Sequence, residues 1–195
     1  MEFLKTVDTI ITNILNSMGA VAPILACLLI LFESILPVMP LAVFITINFY
    51  YLGTVPGFFI SWVLTCVGCY ISFKLCRKSL KKHFDNIMDK KEHKKLKKMM
   101  KVFDNLKLEQ LAIIIAIPFT PAFLVNIAAG FSNMNEKKFI ISIIIGKIFL
   151  VYFWGFIGTS LLESLKEPGI LIKIGIAIII AFIISKLVNR KYNIE

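Results

Sequence analysis

The chain has 195 residues, of which 58% are hydrophobic, and it carries a formal net charge of +10. Soluble globular domains are about 45–50% apolar, so a single core of this size cannot bury the excess. The composition therefore excludes an ordinary soluble domain and predicts one membrane domain whose apolar surface faces lipid.

The first predicted element is a membrane-crossing helix at residues 9–32, which starts from a cytoplasmic N-terminus. Residues 1–18 include Glu2, Lys5 and Asp8 and lack a basic start followed by a small-residue cleavage site. This pattern is not that of a signal peptide, and we expect the mature chain to begin at Met1.

The apolar stretch 20–52 is too long for one span, and it contains Pro37 and Pro40. Two prolines three residues apart remove two backbone donors, so a straight helix cannot continue through them. In lipid the freed carbonyl groups must be satisfied by protein or trapped water. We therefore predict a re-entrant hairpin at 33–52 that enters from the outer face.

A transmembrane helix is predicted at 57–76, because this stretch has no charge before Lys74 and is about 30 Å long as a helix. Cys66 and Cys69 form a CxxC inside it, but no second pair or nearby histidine completes a site. We interpret these thiols as packing residues, and we predict no metal site and no cofactor.

Residues 77–107 form a basic amphipathic linker with 12 Lys or Arg and four acidic residues. A basic block beside a span indicates the cytoplasmic side. The linker either fixes topology as a solvated segment or binds anionic lipid headgroups on the inner leaflet. No groove-reading motif accompanies the basic residues, so we expect no nucleic-acid partner.

The stretch 108–131 contains a second PxxP motif, Pro118 and Pro121, and we predict a second re-entrant hairpin here. If this stretch crossed the membrane, Lys137, Lys138 and the basic C-terminus would emerge outside, against the usual bias. Re-entrance returns them to the cytoplasm. Further spans are predicted at 139–160 and 169–188, and both termini are expected in the cytoplasm.

The predicted fold class is an all-α integral membrane protein, built as an inverted repeat of re-entrant PxxP helical hairpins plus transmembrane helices. Secondary transporters use inverted repeats with broken helices, and their sites lie where the breaks meet at mid-membrane. Glycine and asparagine follow each motif, at Asn48 and Gly53 and again at Asn126 and Gly130, but with different spacings.

Glu33 is the leading candidate for function because it is an acid inside an apolar run, four residues before Pro37. A carboxylate at membrane depth costs about 2.5–3.5 kcal/mol on insertion scales, so it should face the protein interior or a cavity. In that position Glu33 is a transport or proton site. The alternative places it at the outer headgroup level.

Four further residues are candidates for a polar cavity: Asn48, Asn126, Lys147 and Gly130. Lys147 either snorkels to the inner face or pairs with Glu33 or a phosphate headgroup. The asparagines either satisfy hairpin backbone groups or line the cavity. No glycine-rich phosphate loop, serine elbow or His–Glu zinc motif is present, so we expect no enzyme.

Two stretches resemble the DedA/VTT superfamily, also called the SNARE-associated Golgi protein family. The first motif is carried by residues 32–40 with Gly53, Ser61, Trp62 and Gly68. The second is carried by residues 117–121 and 126–132 with Met134, Phe139, Gly146, Lys147 and Gly158.

The resemblance implies paired re-entrant hairpins that meet at mid-membrane and a role in lipid movement between leaflets. It places the family's functional acid at Glu33. Many members have an arginine three residues before the second-motif proline, where this chain has Ile115, and some have a basic residue where it has Pro121. The chain is closer to the branch whose members mostly lack an assigned substrate.

The main hypothesis is a flippase or scramblase for membrane lipids or polyprenyl phosphates in the plasma membrane, with proton coupling through Glu33 as one form of it. The alternatives are a proton-coupled exporter of small molecules and a non-transporting envelope scaffold. Membrane lipids are the expected partners, and the sequence is compatible with a homo-oligomer.

Overall fold

The computed structural model describes residues 21–36, 40–80, 100–164 and 169–192, together with 13, 17 and 19. This part of the chain is helical and contains no strand. The helices are α1 (Val21–Ile35), α2 (Leu41–Leu52), α3 (Thr54–Leu75), α4 (Leu108–Ala116), α5 (Ala122–Phe131), α6 (Glu136–Ser164) and α7 (Ile170–Tyr192). A π-helical turn, Cys76–Leu80, continues α3, and residues 100–105 are also helical.

Three of these helices are long and apolar enough to cross a membrane: α3 with its extension to Lys78, α6 and α7. They contain 25, 29 and 23 residues. At 1.5 Å per residue even α7 is about 34 Å long, more than the hydrocarbon thickness of about 30 Å. The spans predicted at 57–76, 139–160 and 169–188 are therefore confirmed as helices of sufficient length.

The short helices end and begin at the prolines. The residue before Pro118, Ile117, is extended with φ −79° and ψ 123°, because a following proline disfavours the α region. Pro40 and Pro121 are also extended, and α2 and α5 begin directly after them. We call residues 36–40 the first break and residues 117–121 the second break. Pro37 lies outside the described residues.

The first hairpin is divided differently from the prediction. The predicted boundary between a helix at 9–32 and a hairpin at 33–52 falls inside α1, which continues through Glu33 to Ile35. The backbone N–H of Leu36 still donates to the carbonyl of Phe32 at 2.9 Å. A carboxylate does not end a helix, whereas a proline does, so the break comes after Glu33 rather than before it.

The helices α3 and α6 run antiparallel along each other. The Lys74 ammonium lies 2.7 Å from the Glu136 carboxylate, at the end of α3 and the start of α6. Twelve residues earlier in α3, the indole N–H of Trp62 donates to the carbonyl of Ile144 at 3.0 Å. The later residue of α3 contacts the earlier residue of α6, and the earlier residue of α3 contacts the later one. The two helices therefore run in opposite directions.

Both ends of the second hairpin lie where α3 ends and α6 starts. The Lys138 ammonium donates to the carbonyl of Leu106, just before α4. The Asn133 backbone N–H, just after α5, donates to the Asp104 carboxylate at 2.7 Å. We call this the basic end of the bundle, because it gathers Lys74, Arg77, Lys78, Lys137 and Lys138.

A glycine contact recurs in the two halves of the chain. A Cβ added at Gly68 of α3 would lie 2.9 Å from the carbonyl oxygen of Leu31 and 2.4 Å from the Cβ of Ser34. A Cβ added at Gly146 of α6 would lie 2.7 Å from the carbonyl oxygen of Ala112 and 2.8 Å from the Cβ of Ile115. Small residues permit such close helix packing in membranes.

These contacts occupy matching positions. Leu31 and Ala112 each lie six residues before the first proline of their motif, and Ser34 and Ile115 each lie three before it. The first helix of each hairpin therefore packs in the same register on the long helix that follows it. The weak sequence signal of a repeat rested on residues after the prolines, whereas the repeated contact lies before them.

The end of the basic linker packs against the rest of the protein. Its apolar residues Phe103 and Leu106 are 1% and 4% exposed and lie in a protein core with Phe73 and Phe139. These side chains have protein neighbours because α4 follows at once and brings them against α3 and α6. Residues 81–99 of the linker lie outside the described residues.

Candidate polar cavity at the second break

A small cavity lies beside the second break, enclosed by α3, α4, α5 and α6. It has room for about one water molecule. Its lining is mostly apolar but includes two nitrogen-bearing side chains and one hydroxyl: Cys69, Ile114, Ile115, Thr120, Ala122, Val125, Asn126, Ile143 and Lys147.

Lys147 lies on the protein-facing side of α6. Ile143 and Val151, one turn before and after it, are buried on the same face. Lys147 itself is only 2% exposed. It lies 11 residues into α6, about 16 Å from the first turn, which is near half the hydrocarbon thickness.

Of the options left open for Lys147, an ion pair with Glu33 does not occur among the described residues, where the salt bridge joins Lys74 to Glu136. No carboxylate of the described residues forms an ion pair with Lys147. The side chain lies instead in the lining of the cavity, between the end of α4 and the start of α5. A buried ammonium without a carboxylate beside it is costly unless another anion binds it.

Asn126 contributes the second donor. It is 3% exposed, and its side-chain nitrogen has no hydrogen-bond partner among the described residues. Buried polar groups are nearly always bonded, so an unpaired amide in a cavity lining calls for a ligand or water that the fold itself does not supply. Together Asn126 and Lys147 offer N–H donors, which suit an anionic or oxygen-rich ligand.

Thr120 is fixed by the last helix. Its hydroxyl donates to the side-chain oxygen of Asn189 at 3.2 Å, and the Asn189 amide donates to Ser185 at 3.4 Å. The neighbouring Phe119 ring packs edge to face on Phe182, with 5.8 Å between ring centroids. The α7 helix thereby holds the second break in place.

The first break has a different set of polar groups. Glu33 is 8% exposed and lies in the last turn of α1, beside Ser34. The Ser34 hydroxyl donates to the carbonyl of Ile30 at 2.7 Å. From α3, the Ser72 hydroxyl donates to the carbonyl of Ile35 at 3.4 Å, which satisfies one carbonyl group left open where α1 ends.

The other cavity candidates lie at helix contacts. The Asn48 amide is fully buried and donates to the Ser61 hydroxyl at 3.1 Å and to the Cys27 sulfur at 3.5 Å, so it links α1, α2 and α3. Gly130 lies against α3, where an added Cβ would be 2.6 Å from the Cβ of Cys76. Neither residue lines the cavity at the second break.

Arg77 is a residue that the sequence analysis missed, because it was treated as one of many basic linker residues. Its guanidinium donates to four carbonyl groups where α5 ends, at distances from 2.7 to 3.4 Å: those of Ala129, Gly130, Ser132 and Met134. It also lies 4.3 Å from the centre of the Phe73 ring. The sequence signal for this role is an arginine among lysines, since only the arginine side chain has a planar group with five donors that can bind several carbonyl groups at once.

Comparison with known proteins supports the sequence motifs. The profile of the VTT domain matches residues 36–160. An uncharacterized membrane protein, YhjE of Bacillus subtilis (strain 168), is 27% identical over 185 residues, which cover 95% of this chain and 88% of that protein. No solved structure matches the chain.

Proposed function

Because the chain belongs to the VTT domain family, we propose that this membrane protein moves lipids with an anionic headgroup from one leaflet to the other. In this proposal the cavity at the second break receives one phosphate oxygen of the headgroup. Lys147 and Asn126 are its ligands, and no covalent chemistry is required.

The observation that carries the proposal is the pair of donors buried beside the second break. Lys147 is almost fully buried, without a carboxylate partner among the described residues, and the Asn126 nitrogen beside the same cavity is unpaired. Polar and charged groups inside a membrane are costly and usually mark a substrate path. A phosphate oxygen satisfies both donors at once, because it accepts from an ammonium and an amide together.

Re-entrance of the second hairpin gives the headgroup its route. The helices α4 and α5 have nine and ten residues, so each is about 14–15 Å long and reaches roughly halfway through the hydrocarbon. The Asp104–Asn133 hydrogen bond joins the two ends of this hairpin at the basic end. We place that end in the cytoplasm of a plasma membrane, together with both termini, because basic segments concentrate there.

An inverted repeat is the second part of the proposal. The matched contacts of Gly68 and Gly146 relate the two hairpins to α3 and α6, and those two helices run in opposite directions. Two equivalent units attached to antiparallel helices have inverted orientations. The first break then opens from the outer face, and its acid, Glu33, serves as a proton or headgroup site on that side in this proposal.

The test is lipid translocation in liposomes that contain the purified protein. Fluorescent phosphatidylserine and phosphatidylcholine are placed in both leaflets, and an external reductant bleaches the lipids that reach the outer leaflet. We expect faster movement of the anionic lipid. Lys147→Met should slow it by roughly 10–100-fold, since a hydrogen bond to a charged group contributes about 1.5–3 kcal/mol.

Two variants control this experiment. Lys147→Arg keeps the charge and should retain part of the rate. Lys173→Met removes an exposed lysine from α7 and should leave the rate unchanged. A normal rate and normal lipid preference in Lys147→Met would show that the cavity does not bind the headgroup. Export of a small molecule without any lipid movement would favour the exporter hypothesis.

A further inference from the structure

A second concavity lies away from the two breaks, between α2 and the last third of α6. Its volume is about 340 Å³. The lining is almost wholly apolar: Ala42, Val43, Thr46, Ile47, Tyr50, Trp154, Ile157, Gly158, Leu161 and Leu162. The Thr46 hydroxyl donates to the carbonyl of Ala42 at 2.7 Å, so it is used within its own helix. We call this concavity the α2–α6 groove.

The close approach of the two helices forms the floor of the groove. A Cβ added at Gly158 would lie 1.7 Å from the Thr46 hydroxyl oxygen, so only glycine permits this contact. Larger side chains on both sides of this contact form the walls of the groove. Val43, Tyr50 and Leu161 are 49%, 43% and 45% exposed, so the groove opens on the apolar surface of the bundle.

The dimensions of the groove select its occupant. It follows residues 42–50 of α2 and 154–162 of α6, which is about 12 Å along either helix. A volume of 340 Å³ spread over that length gives a channel roughly 6 Å wide. A helix with its side chains is about 10–12 Å wide and does not fit. A single hydrocarbon chain does.

The groove is adjacent to the polar cavity. Lys147, Trp154 and Leu161 are spaced by seven residues and therefore lie on one side of α6. Trp154, a wall of the groove, packs edge to face on Phe119 of the second break, with 5.8 Å between ring centroids. The distance from Lys147 to Trp154 along the helix is about 10 Å.

We propose that the α2–α6 groove binds one hydrocarbon tail of a lipid whose headgroup lies at the second break. The proposal rests on the proposed function for the headgroup, but the groove itself is argued from its shape and apolar lining. The tail is an acyl chain or an isoprenoid chain, since both have the same chemistry in this groove. Binding buries apolar surface of the tail against protein on three sides.

Trp154 provides the readout, because the chain has two tryptophans and the other is Trp62. Trp62→Phe leaves Trp154 as the single emitter. Phosphatidylglycerol with brominated acyl chains is added to this variant in detergent. We expect fluorescence quenching that saturates near one lipid per protein. The control is Ile179→Trp in a chain whose two tryptophans are replaced by Phe. Ile179 is 60% exposed on α7, so the fluorescence of this variant should fall only gradually and without saturation.

Filling the groove should remove the saturable quenching. Ala42→Phe and Val43→Phe each place a ring in the groove and should weaken apparent binding by about tenfold or more. Val63→Phe adds the same ring to an equally exposed position on α3, outside the groove, and should leave binding unchanged. Elution as a single species shows that each variant is folded.

Further measurements distinguish an acyl tail from an isoprenoid tail, and tail binding in the groove from headgroup binding at the second break. Competition by unbrominated phosphatidylglycerol identifies an acyl tail, and stronger competition by a polyprenyl phosphate identifies an isoprenoid tail. Lys147→Met should weaken the apparent binding but leave the quenching saturable, because the tail still has its groove. Quenching that does not saturate, or that both filling variants leave unchanged, would overturn the proposal of tail binding in the groove. Crosslinking of Leu161→Cys to a second copy of the chain would also overturn it, because protein and not lipid would then fill the groove.

Discussion

At the first break the ionisable side chain buried by the fold is a carboxylate, Glu33, whereas at the second break it is an ammonium, Lys147. The two breaks share one packing contact, since Gly68 and Gly146 lie against matching carbonyl groups before the prolines. The comparison indicates that the backbone contacts set the shape of each hairpin. The side chains added to that shape decide which charge it accepts.

The largest expected effect comes from the shared glycine contact. Gly68→Ala and Gly146→Ala should each lower the free energy of unfolding by about 2–3 kcal/mol or prevent folding, because the new Cβ meets a backbone carbonyl that cannot move aside. Thermal unfolding in detergent, followed by loss of the monodisperse peak, measures this.

Gly175→Ala is the matched control, since nothing lies within 4 Å of a Cβ added there on α7. It should be neutral or stabilise by up to about 1 kcal/mol, because alanine is the better helix former. If Gly146→Ala behaved like Gly175→Ala while Gly68→Ala unfolded the protein, the two hairpins would not share one packing geometry.

The far ends of the hairpins are held by different means, and this difference gives the next largest effect. Arg77 binds four carbonyl groups around Gly130, which lies 12 residues after Pro118. Phe49 lies 12 residues after Pro37, and its ring packs on Gly155 of α6. Arg77→Gln should cost about 2–3 kcal/mol, since it leaves several carbonyl groups at the end of α5 without a donor. Thermal unfolding of Arg77→Gln is compared with that of Lys78→Gln, which changes the exposed neighbouring residue. Equal melting temperatures of the two variants would show that Arg77 is not needed to hold α5.

The two asparagines should respond with opposite signs. Asn126→Leu removes an amide nitrogen without a partner and should stabilise the protein by about 1 kcal/mol while it slows transport of anionic lipid. Asn48→Leu leaves the Ser61 hydroxyl without its donor and should destabilise by a similar amount. Chemical unfolding of both variants measures the signs. Destabilisation by Asn126→Leu with normal transport would make Asn126 a structural residue.

The smallest effect is expected at the basic end. Lys74 and Glu136 form an ion pair at 2.7 Å, and the Tyr70 hydroxyl donates to the same carboxylate at 2.6 Å. The pair is partly open to solvent, so salt screens it. Glu136→Gln should shift the melting temperature less than Gly146→Ala, Arg77→Gln or Asn48→Leu, and the shift should disappear at high ionic strength. A large shift that persists in salt would mean that this contact contributes much of the packing between α3 and α6.

Much of the helical pattern could be predicted because it depends on local signals. Runs of about 20 apolar residues predict the long helices, and each PxxP predicts the end of a short helix near it. The position of Glu33 relative to the helix end was predicted less well. The acid was taken as the start of the hairpin, but helix ends follow backbone donors, and Leu36 still has one.

The candidate site was predicted only in part. Lys147 and Asn126 were named as candidates for a polar cavity, but so were Asn48 and Gly130, which do not line it, and no local pattern separates the two pairs. The proximity of Lys147 and Asn126 depends on how tightly Gly146 brings α6 against α4, which is a tertiary contact. The role of Arg77 was missed for the same reason, since its partners lie more than 50 residues away.

The central claim is that the second hairpin enters and leaves the membrane at one face and so holds Lys147 and Asn126 inside it. Single cysteines at Lys107 and Asn135, both exposed, and at Thr54 as the opposite-face control, test this in a chain without Cys27, Cys66, Cys69 and Cys76. Labelling with an impermeant maleimide in sealed vesicles of known orientation should modify positions 107 and 135 only from the cytoplasmic side and position 54 only from the other. Labelling of 107 and 135 from opposite sides would contradict the account, because α4 and α5 would then cross the membrane and no cavity would open from one face.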